Sequence, residues 1–105
     1  MQPDPTVIDH LVRQIVGAVQ PLRIILFGSA ARGDIHPNSD LDVLVVMPEG
    51  THRRRTAQAL YREIRGLGQA FDVIVATPAD LERHKDNIGL VYYTALREGK
   101  EVYAA

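Results

Sequence analysis

The chain has 105 residues, of which 46% are apolar and 24% charged, and its formal net charge is −1. Residues 1–105 can form one domain with a real core, and the charge balance is not that of a general nucleic-acid binder. The absence of cysteine excludes disulfides and thiolate metal sites. No apolar run approaches the ~18 residues of a membrane span, and residues 1–5 lack the basic and apolar regions of a signal peptide. The expected location is the cytoplasm, with no membrane partner.

In chain order, the first periodic segment is a helix over about residues 6–19. Val7, Ile8, Leu11, Val12, Ile15, Val16 and Val19 fall on one stripe, and Pro21 ends it. Residues 22–27 are short, apolar and β-branched, which predicts a buried strand stopped by Gly28. Residues 29–33 are small and turn-like, with at most one helical turn at 30–32, and residues 34–39 are a polar loop. Residues 41–47 read as a second strand, broken by Pro48, Glu49 and Gly50. Thr51 is placed to cap a helix that reaches about Arg65, with Gly66 and Gly68 closing it. Residues 70–76 read as a third strand. Thr77 followed by Pro78 is a helix start, a cap before proline at the first position. That helix runs to about His84, and another covers residues 88–98, with Gly99 as its terminator. Residues 101–103 form a short edge strand. Strands alternating with helices predict an α/β domain. The sheet should be small and mixed, because the loop between the first two strands is too short for a crossover helix.

The chemistry gathers at six residues. Asp40 and Asp42 are two apart and point the same way from an extended backbone. Two carboxylates on one face repel each other unless a cation lies between them. Mg²⁺ suits that site, because it takes one or two carboxylates and fills its shell with waters and substrate phosphates. Gly28 lets backbone approach a phosphate closely. Ser29 adds a hydroxyl and an N–H to a turn that can cradle an anion, and Arg32 can add charge on a phosphate oxygen. Asp72 sits opposite the apolar face of Phe71, Val73 and Val75. A neighbouring strand would bring it beside the pair as a third carboxylate. It could then help hold a second metal and accept the proton of an attacking hydroxyl. An Asp-x-Asp alone is usually solvated charge, and a Gly-Ser after a strand is usually a turn. The ordered combination is far more specific than either part.

Gly28-Ser29-Ala30-Ala31-Arg32-Gly33 followed by Ser39-Asp40-Leu41-Asp42 resembles the signature of the DNA polymerase β-like nucleotidyltransferase superfamily. Ten residues separate Gly-Ser from Asp-x-Asp. The short length resembles the minimal nucleotidyltransferases, antitoxin partners of HEPN-domain toxins. The resemblance covers nearly the whole chain. It implies a polymerase β-like nucleotidyltransferase fold, and Gly28, Ser29, Arg32 and Ser39 as the nucleotide-binding residues. It also implies Asp40, Asp42 and Asp72 as catalytic residues and ligands of two Mg²⁺ ions, with ATP as substrate. The expected reaction is transfer of AMP from ATP to a tyrosine of the toxin. A small-molecule (antibiotic) nucleotidyltransferase, an antitoxin that works by binding alone, and a nucleotide-binding regulatory module are the alternatives. The sequence leaves the oligomeric state open.

Other polar residues carry less. Arg53-Arg54-Arg55 reads first as a solvated helix face and second as a contact for phosphate or an acidic partner. His10, His36, His52 and His84 lack metal-ligand spacing. Tyr92 and Tyr93 fall on a helix where at least one belongs in the core, and either suits an interface.

Overall fold

The computed structural model describes residues 5–28, 40–84, 87 and 91–105. Helix α1 (Pro5–Val19) buries the stripe read from the sequence. Leu11 and Ile15 are fully enclosed, and Val7, Ile8, Val12, Val16 and Val19 pack around them. The helix closes on a left-handed residue, Gln20 (φ 52°), whose N–H donates to the Val16 carbonyl at 3.1 Å. Pro21 follows and prevents continuation.

Among the described residues, four strands form one mixed sheet in the order β3-β2-β1-β4. Strand β1 (Arg23–Phe27) is central and antiparallel to both neighbours, β2 (Leu41–Val46) and β4 (Lys100–Ala104). Strand β2 is parallel to β3 (Phe71–Ala76). A parallel pair needs a crossover, and helix α2 (Arg53–Glu63) supplies it. Helices α3 (Pro78–His84) and α4 (Val91–Glu98) follow β3 and lead into β4. The small mixed sheet flanked by helices is the architecture expected from the sequence.

Strand alternation divides the core in two. Leu41, Val43, Val45 and Met47 face α1 and α2, and pack with Leu11, Ile15, Leu60 and Ile64. Leu44 and Val46 point the other way and meet Ile25, Phe27, Leu81 and Ala95. Asp42 has the parity of this second row and lies at its start.

Both ends of α2 depart from the sequence reading. His52, not Thr51, caps α2, its ring Nδ1 accepting from the Arg55 N–H at 3.1 Å. The Thr51 hydroxyl instead donates to the Pro48 carbonyl at 2.7 Å and closes the preceding turn, so the helix begins one residue later. Its end falls at Glu63 rather than Arg65, because Ile64 is extended and inserted into the core. Arg65 is then held by Gln14, which donates to its carbonyl and accepts from its N–H, both at 2.8 Å. Gly66 and Gly68 shape the loop beyond. For α4, residues 88–90 lie outside the described residues.

Candidate active site

Phe27, Asp42 and Asp72 stand in one row across three strands: Phe27 pairs with Asp42, and Asp42 pairs with Asp72. Adjacent strands lie about 4.8 Å apart. The two carboxylates therefore stand side by side at the end where β2 and β3 begin and β1 finishes. Both share the parity of the face that packs α3 and α4 further along. Asp42 is half-buried and Asp72 is exposed.

Gly28 ends β1 in a left-handed conformation (φ +72°). A Cβ at this position would collide with Asp42 Oδ2 and stand 3.3 Å from its Cγ. Glycine is thus required twice, by its backbone angle and by the carboxylate packed against it.

Asp40 precedes β2 and is exposed. Among the described residues, no three His, Asp or Glu side chains are grouped closely enough to hold one ion. The register joins Asp42 to Asp72, and Asp40 stands one alternation before them. Ser29, Arg32 and Ser39 lie outside the described residues, as do His36 and the turn expected at 30–32.

The sequence reading missed Tyr61. From α2 its hydroxyl reaches round the edge strand β3. Tyr61 Oη accepts from the Val73 N–H at 2.9 Å and donates to Asp72 Oδ1 at 3.3 Å. Its ring stacks on Phe71, with centroids 5.5 Å apart and planes 16° from parallel. The only signal in the sequence was an aromatic residue on a helix of mostly polar composition.

The remaining candidates serve structure. His10 contacts the Arg65 carbonyl at 3.1 Å, and His84 stacks on Tyr92 at 5.9 Å. Tyr92 packs against the second core, and Tyr93 lies half-buried with the Arg97 guanidinium 5.5 Å from its ring centre. The arginine run follows the far end of β2, across the sheet from the carboxylates. There Arg53 Nη1 pairs with Asp80 Oδ1 at 3.1 Å. Asp80 is buried and completes a reciprocal cap on α3. The Thr77 N–H and hydroxyl each donate to its Oδ2 at 3.0 Å, and its own N–H donates to Thr77 Oγ1 at 3.3 Å. The Thr77 N–H is the main cause that holds the Asp80 carboxyl below the usual range. Burial opposes it, while the Thr77 hydroxyl, Arg53 and Arg83 add to it.

Two neighbouring carboxylates fit a hard divalent cation that keeps waters and takes phosphate oxygens. With a glycine backbone against one of them, the arrangement suits chemistry at a phosphate. A crystal structure from Sulfolobus solfataricus, of a protein described as a candidate nucleotidyltransferase, has the same fold. The TM-score is 0.57 at 20% identity, over 99% of this chain and 92% of that one. No curated protein is significantly similar in sequence. No helix among the described residues is long and apolar enough to cross a membrane. The family model for the nucleotidyltransferase domain matches residues 11–99, which include all of β1, β2 and β3 and both paired carboxylates, and the chain belongs to that family.

Proposed function

We propose that this protein transfers AMP from ATP to a hydroxyl of another protein, a tyrosine of a HEPN-domain toxin that the modification silences. The observation that carries the transfer is the register of Asp42 beside Asp72 against Gly28. The protein acceptor rests on the resemblance to the minimal nucleotidyltransferases, and a cytoplasmic setting is part of the same proposal. Two Mg²⁺ ions, shared among Asp40, Asp42 and Asp72, would neutralise triphosphate charge and polarise the reacting phosphate. Gly28 leaves its backbone open to a phosphate, and Ser29, Arg32 and Ser39 bind the triphosphate. Asp72 accepts the proton of the incoming hydroxyl. The hydroxyl oxygen forms a bond to the α-phosphorus, the bond from that phosphorus to the pyrophosphate oxygen breaks, and pyrophosphate leaves.

The test is incubation with ATP, Mg²⁺ and a HEPN-domain toxin identified from a neighbouring gene. Intact mass should rise by ~329 Da per AMP, a value set by the transfer itself. Asp40→Asn with Asp42→Asn should lower the rate at least ~1000-fold, on the scale of losing a main electrostatic element of catalysis, and should leave the protein folded. A double variant that still protects cells as well as the wild type would show that neutralisation is by binding.

A further inference from the structure

Tyr61 is nearly half exposed, at 47%, yet its hydroxyl is fixed on both sides. Strand β3 is at the edge of the sheet, and the Val73 N–H donates to Tyr61 Oη. With that bond on the phenol oxygen, the hydroxyl proton is directed to Asp72 Oδ1. The direction of the chain is therefore set by backbone: amide N–H to phenol oxygen, phenol O–H to carboxylate. Each bond polarises the next. The ring is anchored separately by Phe71, so the hydroxyl's place does not depend on the carboxylate it serves.

We propose that Tyr61 is a positioning residue for Asp72. Holding Oδ1 fixes the rotation of the carboxyl group and assigns the work at the reacting hydroxyl and cation to Oδ2. Partners of this kind behind a ligating carboxylate commonly contribute 10- to 100-fold in metal affinity or rate. The inference rests on the reading that Asp72 serves nucleotidyl transfer at a divalent cation.

Tyr61→Phe removes the hydroxyl and keeps the stacked ring. Mn²⁺ affinity measured by calorimetry should weaken about tenfold, with the far-UV spectrum unchanged. In an Asp72→Asn background the same change should have no further effect, because the hydroxyl acts through that carboxylate. In transfer assays at saturating Mn²⁺, kcat should fall by about the same factor while KM for the nucleotide stays within about twofold. Equal Mn²⁺ affinity with and without the hydroxyl would overturn the proposal, and so would an equal loss in both backgrounds, the mark of an edge-strand cap. AMP found on Tyr61 itself would overturn it too, by making the phenol an acceptor. If the wild type binds Mn²⁺ but transfers no nucleotide, the transfer reading fails. The Mn²⁺ measurements then still decide whether Tyr61 acts through Asp72.

Discussion

Gly28 is the residue on which the rest of the site depends. Its left-handed backbone and its contact with Asp42 are separable contributions. The angle alone costs a non-glycine residue about 1–2 kcal/mol, and the contact forces the carboxylate to move. Gly28→Ala should therefore destabilise by more than that figure in the wild type. In an Asp42→Ala background the penalty should shrink to the backbone part. Urea midpoints of the four proteins separate the two. Other residue-scale facts were less legible. Alternation placed Asp72 opposite Phe71, Val73 and Val75, as observed. Its pairing with Asp42 depends on register, which no local pattern specifies. The Tyr61 bond was illegible because it runs round a sheet edge between residues that strand and helix periods do not relate.

Elements were legible where one local interaction dominates. Thr77-Pro78 announced α3, and the structure adds the answering carboxylate, Asp80. Because folding lowers the Asp80 pKa, its stabilising effect is fully present above the unfolded value near pH 4. It is lost as the pH falls through the lower folded value. Asp80→Asn should cost about 1 kcal/mol at neutral pH, the usual worth of a cap. The gap between variant and wild type should narrow below about pH 4 in urea titrations. Cap identity was misread at α2, where the rule favours threonine. The Thr51 hydroxyl was already engaged by the Pro48 turn, a competition invisible to a residue-by-residue preference. The end of α2 was misread for a similar reason, since tertiary burial of Ile64 overrode the glycine signal.

At the scale of the whole molecule, the short span of sequence between the first two strands and the single helix between β2 and β3 were enough to anticipate a mixed sheet. They also explain why the candidate carboxylates share one end. Strand β1 runs toward that end, while β2 and β3 run away from it, so Gly28 and the starts of the other two strands meet there. The arginine run follows the far end of β2, where one of its members neutralises Asp80. Proximity in sequence to the second strand had left its use open.

The pairing of Asp42 with Asp72 has a mechanical side. Among the described residues, β3 has β2 as its only neighbour in the sheet, and two like charges oppose each other one rung from the beginning of that ladder. Like charges directly across a pair weaken it, so the start of β3 is where fraying should begin. A divalent cation that reverses the repulsion would act as a clamp on the strand. At a concentration 100 times its dissociation constant, linkage gives a stabilisation of about 2.7 kcal/mol. Hydrogen exchange at the β3 amides should slow on adding Mg²⁺, more than exchange in α1, and Asp42→Asn should remove the difference. An unchanged exchange pattern would show that no cation bridges the strands. The looseness of one edge strand would then gauge how full the site is, before any substrate has been turned over.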